Sequence, residues 1–308
     1  MSKISIIIPC YFNEENIPVT SLELISNEKN FPENTEFEYI LVDDGSKDNT
    51  LQELIKFKNQ YPDKVKILKL AGNVGSYNAV VAGMEYATGD CTVIIAADMQ
   101  DPIELMPAMM KHWESGFKLV IGSRSDREEG FMQKFFSNTF HSFMKKFALS
   151  NVPDGGFDYV LFDKQIREEI VKMQERNTNI FYMMAYLGYE YVNIPYIRRK
   201  REIGTSKWTL SKKIKLLIDS FLSFSFFPLR AITVTGFILG GLSLLYALFI
   251  ILMRFLGDVK VEGWSAIMVV VLLVSSFQMV ALGIIGEYVW RSMDASRKRP
   301  LYVVEKEY

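Results

Sequence analysis

Short apolar runs punctuate the first part of the chain, and polar segments with helical spacing separate them. Lys3-Ile4-Ser5-Ile6-Ile7-Ile8 forms one run, ended by Pro9. Glu38–Val42 forms a second and leads into Asp43-Asp44-Gly45-Ser46. Val65–Leu70, Val93–Ile95 and Leu119–Ile121 add three more. Helix-like stretches start at Glu14 and again near Asp48, where Thr50 and Glu53 match a capping box. Such runs predict strands covered on both faces, and their alternation with helices predicts an α/β fold built on a mostly parallel sheet. Ligands bind such sheets beyond the carboxyl ends of the strands. Gly75, Ala79, Gly83 and Ala87 recur every four residues. On a helix they make one stripe of small side chains that permits close approach to the sheet.

The pattern changes at Trp208. Leu210, Ile214, Leu217, Ile218 and Phe221 follow helical spacing, while Lys212, Lys213, Lys215 and Asp219 fall mainly elsewhere. That predicts an amphipathic helix with a basic face, suited to an anionic membrane surface. Ala231–Met253 and Trp264–Gly286 follow, each about 23 residues without a charge and long enough to cross a hydrocarbon core. The flanks are basic: Lys212, Lys213, Lys215 and Arg230 before, and Arg291, Arg297, Lys298 and Arg299 after. The loop Arg254–Gly263 is mixed. The positive-inside tendency therefore places both termini in the cytoplasm. The expected organisation is a soluble-type domain over 1–207, an interface segment over 208–230, a two-helix transmembrane hairpin over 231–290 and a cytoplasmic tail over 291–308.

Composition narrows the possibilities. A net charge of −1 gives no reason to expect nucleic acid as a partner. Cys10 and Cys91 lie inside apolar runs and read as small buried hydrophobes in a reducing compartment. MSKISIIIPC lacks an adequate signal-peptide core, so the first domain is expected to stay cytoplasmic. Gly236, Gly240 and Gly241 in the first apolar stretch permit close helix packing, and a homo-oligomer is expected.

The polar motifs suggest chemistry. Pro9-Cys10-Tyr11-Phe12-Asn13-Glu14 closes the first strand, where polar groups can meet a base or ribose. Asp43 and Asp44 end the second; carboxylates there accept hydrogen bonds from ribose hydroxyls or a base N–H. Helix capping explains Ser46 and Asp48 but not Asp43. After the fourth strand comes Ala96-Ala97-Asp98-Met99-Gln100-Asp101-Pro102. Asp98 and Gln100 alternate, so an extended chain points both the same way. Their hard oxygens suit Mg²⁺ or Mn²⁺ carrying a diphosphate, while Asp101 with Pro102 can start the next helix. Asp154-Gly155-Gly156-Phe157-Asp158 is either a glycine turn into a strand or a close approach to ligand, with Asp158 facing acceptor or sugar. Arg198-Arg199-Lys200-Arg201, with Gly204, Ser206 and Lys207, forms a phosphate cradle or a lipid-headgroup patch. Arg124 and Lys134 can add cations.

Taken in order, these motifs resemble glycosyltransferase family 2, in its polyprenyl-phosphate glycosyltransferase and dolichol-phosphate mannose synthase branch. The likeness covers the whole chain: P-x-Y-x-N-E at Pro9–Glu14, D-D-G-S at Asp43–Ser46, N-x-G-x-x-x-A-x-x-x-G at Asn73–Gly83, A-D-M-Q-D-P at Ala97–Pro102, G-S-R at Gly122–Arg124 and R-x-x-G-x-S-K at Arg201–Lys207. The resemblance implies a GT-A (Rossmann-like) fold and inverting transfer of a sugar from a nucleotide-sugar, UDP favoured over GDP, to a polyprenyl phosphate at the plasma membrane. It implies donor-nucleotide contacts from Pro9, Tyr11, Asn13, Glu14, Asp43 and Asp44, and metal ligands in Asp98 and Gln100. Asp158 stands where the family's base is proposed, with Asp98 as the second catalytic position. Arg124, Lys134, Arg198, Arg201, Ser206 and Lys207 would meet phosphates. Two departures stand out: Ala96 replaces the first acid of the family's Asp-Ala-Asp-Leu-Gln, and Val160 replaces an arginine two residues after the proposed base. An impaired nucleotide-sugar-binding scaffold and a processive polysaccharide synthase are the competing readings. The surviving Asp98, Gln100 and basic cluster argue against the first, and the missing Q-x-x-R-W motif against the second.

Overall fold

A computed structural model describes residues 2–124, 142, 144–149, 158–199, 210–255 and 263–308. Its first half runs β1 (Ser2–Cys10), α1 (Ile17–Asn27), β2 (Thr35–Asp43), α2 (Thr50–Gln60), β3 (Val65–Leu70), α3 (Ser76–Tyr86), β4 (Cys91–Ile94), α4 (Met106–Glu114) and β5 (Leu119–Arg124). The remaining described elements are β6 (Tyr159–Asp163), α5 (Lys164–Met173), α6 (Ile180–Tyr186), β7 (Tyr191–Tyr196), α7 (Leu210–Phe224), α8 (Phe227–Phe255), α9 (Trp264–Ser296) and β8 (Val304–Glu307). The chain divides into two compact units: Met1–Ser220 with Pro300–Tyr308, and Phe221–Arg299.

The first unit is an eight-stranded sheet in the order β7-β5-β6-β4-β1-β2-β3-β8. β1 pairs in parallel with β2 and β4, β2 with β3, and β5 with β7. β6 runs antiparallel between β4 and β5, and β8 antiparallel along β3. All five apolar runs of the sequence are strands. They occupy the middle of the sheet, where both faces are covered and each side chain has to be apolar. Ile4, Ile6 and Ile8 share one face with Tyr39, Leu41, Ile67 and Val93, covered by Ile17 and Leu24 of α1, Leu54 and Phe57 of α2 and Met106, Met109 and Met110 of α4. α3 covers the opposite face. A Cβ on Gly83 would lie 2.5 Å from Ile7 Cγ2 and 3.3 Å from Val42 Cγ2, so the small-residue stripe does set the helix against the sheet. Cys10 and Cys91 are buried free thiols.

Two local expectations change. Thr50 opens no capping box. Its hydroxyl donates to Asp48 Oδ1 (2.7 Å) and accepts from the Asn13 N–H (2.8 Å), while Glu53 pairs with Lys56. Asp101 caps no helix either. It is 4% exposed and accepts a hydrogen bond from the Tyr196 hydroxyl. The distant Tyr196, on β7, reaches it where a local N–H would otherwise bind.

The second unit contains two helices long and apolar enough to cross a membrane, over Phe227–Met253 and Ala266–Ser296. Their apolar side chains are not packed into a core: Phe237, Leu245 and Leu273 are exposed. An apolar surface of this extent marks contact with lipid or another chain. At the hairpin's base the Tyr288 hydroxyl donates to the Ser225 carbonyl at 2.7 Å.

Candidate active site

β1 to β4 are parallel neighbours, so the loops leaving their carboxyl ends gather along one edge of the sheet. The loop after β1 is tied to the start of α2. The Tyr11 N–H donates to Asn13 Oδ1 (2.7 Å), the Phe12 N–H to Ser46 Oγ (3.1 Å) and the Asn49 N–H to Glu14 Oε2 (2.8 Å). Asn13 and Glu14 thus shape the loop with their own side chains. Pro9 and Tyr11 are half-buried beside them, with the Tyr11 ring edge-on to Phe12 at 4.6 Å. Phe12 adopts φ +55° and Met99, in the loop after β4, φ +50°. Left-handed non-glycine residues are strained and cluster at working sites.

Asp43 and Asp44 are both buried at the end of β2. Asp43 Oδ1 accepts from the Ser46 N–H at 3.0 Å, whereas Oδ2 meets no hydrogen-bond donor among the described residues. Burial pushes its carboxyl above the ordinary value, and Asp48 adds to the rise. Asp44 accepts from the N–H groups of Val74 (2.7 Å) and Gly75 (3.0 Å) and from Asn73 Nδ2 (2.9 Å). Burial outweighs these donors and raises its carboxyl to about 6. Gly45 makes the arrangement possible: it has φ +71°, and a Cβ there would lie 2.9 Å from the Asn73 nitrogen. So Asp44 holds the loop after β3, and Asp43 presents an unsatisfied oxygen. The division was not legible beforehand, although Asn73 and Gly75 stood in the N-x-G motif.

The loop after β4 is a turn, not an extended strand, closed by the Met99 N–H on the Ala96 carbonyl at 3.3 Å. Burial still alternates. Ala97 and Met99 are buried, while Ala96, Asp98 and Gln100 are half-buried. Gln100 Nε2 donates to the Arg199 carbonyl (3.4 Å) and the Arg199 N–H to the Gln100 carbonyl (2.9 Å), which binds the start of the basic segment to this loop. The Arg199 guanidinium turns to Glu23 and Glu104.

Beside it lies an alternating set of charges. Arg124, at the end of β5, forms an ion pair with Asp158, just before β6. Arg198 Nε stands 3.6 Å from Asp101 Oδ1. Burial and the nearby Asp158 push the Asp101 carboxyl up, against Tyr196 and Arg198. Burial pulls the Arg124 guanidinium down, but Asp158, Tyr196 and Asp101 hold it above its ordinary value. Gly122 lets β5 pass under this group, since a Cβ there would meet Tyr159 at 3.0 Å and Tyr196 at 3.2 Å. Asp101 as a buried acid and Tyr196 as its partner were absent from the sequence reading. Lys134, Arg201, Ser206 and Lys207 lie outside the described residues.

A mostly parallel sheet with acidic loops at the ends of β2 and β4 has the GT-A architecture. The chain belongs to glycosyl transferase family 2, whose model matches residues 5–171. Relatives align over nearly the whole length. The glycosyltransferase YkcC of Bacillus subtilis is 32% identical over 99% of this chain and 94% of its own. The Synechocystis sp. glycosyltransferase sll0501 is 34% identical over 98% and 94%. A prophage bactoprenol glucosyl transferase homolog of Escherichia coli is 30% identical over 99% of each chain.

Proposed function

We propose that the protein transfers a sugar from a nucleotide-sugar to a polyprenyl phosphate at the cytoplasmic face of a membrane. One observation carries this reading. The likeness to the Escherichia coli bactoprenol glucosyl transferase homolog runs the length of both chains, so it takes in the two apolar helices as well as the sheet. A lipid-borne acceptor explains why a sugar-transfer domain continues into such helices.

In this reading residues 1–207 catalyse, 208–230 lie on the membrane surface, 231–290 cross it twice and 291–308 return to the cytoplasm. β8 supports the even number of crossings, because it joins the same sheet as β1. Glycines 236, 240 and 241 support packing against a second copy.

A lipid monophosphate has its second pKa near ~6 and is largely a dianion at neutral pH. It needs little help from a base. Its oxygen bonds to the anomeric carbon from the face opposite the diphosphate as the carbon–oxygen bond to the diphosphate breaks. The nucleoside diphosphate leaves with the electron pair, and the configuration inverts. The difficulty is bringing one anion to another, and Arg124 and Arg198, with Lys134, Arg201, Ser206 and Lys207, offset that repulsion. Asp158 balances Arg124 until the phosphate arrives and then orients acceptor or sugar. Pro9, Tyr11, Asp43 and Asp44 receive the nucleoside, shaped by Asn13 and Glu14, with UDP favoured.

Among the described residues no group of three or more acidic, histidine or cysteine side chains converges. The donors at hand are Asp98 and Gln100, half-buried at one strand end. That sparse all-oxygen set fits Mg²⁺ or Mn²⁺, which keep waters and bind substrate phosphates alongside one or two carboxylates. Bound there, the ion would neutralise charge gathering on the leaving diphosphate.

The test is the full chain in detergent with undecaprenyl phosphate and a panel of nucleotide-sugars, with and without chelator. A lipid-linked sugar of inverted configuration from a UDP-sugar, lost on chelation, is the expected result. No lipid-linked product from any donor would overturn the reading.

A further inference from the structure

The end of the chain is built into the sheet next to the donor loops. β8 lies antiparallel on β3, with Leu68 opposite Glu307, Lys69 opposite Lys306 and Leu70 opposite Val304. Ile67 and Tyr308 exchange both backbone hydrogen bonds, at 3.2 and 3.0 Å. Beyond a bulge, the Ala71 N–H donates to the Val303 carbonyl at 2.9 Å. Side chains add to the backbone. Leu301 is buried, the Tyr302 hydroxyl donates to Glu85 on α3, and Arg176 donates to the Pro300 carbonyl at 3.2 Å.

This segment reaches the donor acids by two routes. Ala71 starts the loop whose Asn73, Val74 and Gly75 hold both oxygens of Asp44. Lys69, the residue beside Asp43 in the β2–β3 register, pairs with Glu305 at 2.8 Å. A free edge strand would leave both the loop and the lysine without this support.

We infer that Pro300–Tyr308 is a positioning element of the donor pocket: it fixes the loop 71–75 and, through it, the acids that receive the nucleoside. The inference rests on the reading of Asp43 and Asp44 as donor contacts. The segment touches no reacting atom, so it should act on donor affinity and leave the chemical step alone. Coupling between two sites is reciprocal, so the nucleotide must in turn steady the segment.

The experiment uses the full chain in detergent, with UDP as probe and GDP as a parallel arm. In the unsubstituted protein, hydrogen–deuterium exchange should slow on nucleotide binding both in residues 71–75 and in residues 303–308. Slowing in the loop with none in the end segment would overturn the inference, and this arm needs no variant. Lys306→Pro removes an N–H from the β3–β8 ladder. It should raise the donor KM about five- to ten-fold while kcat and the acceptor KM stay within about two-fold. An unchanged donor KM, or a parallel loss of kcat and both KM values, would overturn it. Asp43→Ala separates the two levels. If nucleotide binding survives that substitution, the donor assignment fails and the inference falls with it. If binding is lost there but the end segment neither responds to nucleotide nor affects its KM, only the inference fails.

Discussion

Asp98, in the turn after β4, is the proposed metal ligand, and Ala96 stands two residues before it where the family resemblance leads to the expectation of a further acid. Losing one preorganised electrostatic contact costs about 10²–10³ in rate, and Asp98→Asn should lose at least that in kcat. Its half-buried position at a strand end predicts an unchanged melting temperature. Ala96→Asp should lower the Mg²⁺ or Mn²⁺ concentration giving half-maximal activity. Near-normal turnover of Asp98→Asn would leave the leaving-group charge to the arginines. Asp101 behaves differently. Removing it takes the acceptor from the buried Tyr196 hydroxyl and a counter-charge from the half-buried Arg198. Asp101→Ala should cost about 3 kcal/mol of stability in denaturant titration, and Asp101→Asn, which still accepts from Tyr196, about a third of that. Asp44 supplies a pH test. Its carboxyl is held at about 6, above the ~3.9 of an unfolded chain. A raised carboxyl stabilises the fold while protonated, fully below about pH 4, and that contribution fades as pH rises through 6. The stability gap between the unsubstituted protein and Asp44→Asn should therefore shrink by up to about 3 kcal/mol from pH 4 to 7. The acids themselves stood out in the sequence, because paired carboxylates after apolar runs are conspicuous. Their partners did not. Nothing local joins Asp101 to Tyr196, 95 positions away, or tells which oxygen of Asp43 is left over.

At the scale of elements, the central strands were legible and the outer ones were not. Ile4–Ile8 and Ile40–Val42 are buried on both faces, so their composition alone announces them. β7 reads Tyr-Val-Asn-Ile-Pro-Tyr and β8 Val-Glu-Lys-Glu. Each lies at an edge of the sheet, where proline and charge are tolerated and protect against further pairing. β6 was half-visible, as the strand that a glycine turn would lead into. The stripe on α3 invites a measurement. Gly83→Ala places a Cβ 2.5 Å from Ile7 Cγ2, and the helix must move off β1 and β2. Overpacking of this kind costs about 1–3 kcal/mol. The same substitution at Gly236, where nothing lies within 4 Å, should leave the catalytic unit's unfolding transition in place.

At the scale of the whole molecule, two helices able to cross a membrane separate most of the catalytic unit from its last strand. The hairpin arrangement predicts that Asp258→Cys reacts with an impermeant thiol reagent applied from outside the cell, while Ser296→Cys does not. The opposite labelling would overturn it. The order of the elements also affects how the protein is made. A ribosome releases β1 to β6 long before β8, so the β3 edge waits unpaired until both helices have been synthesised. An exposed edge invites aggregation or a chaperone. If the final strand is what steadies the donor loop, a nascent chain cannot bind its nucleotide well until insertion is complete, and biogenesis itself delays activity until the enzyme has reached its lipid.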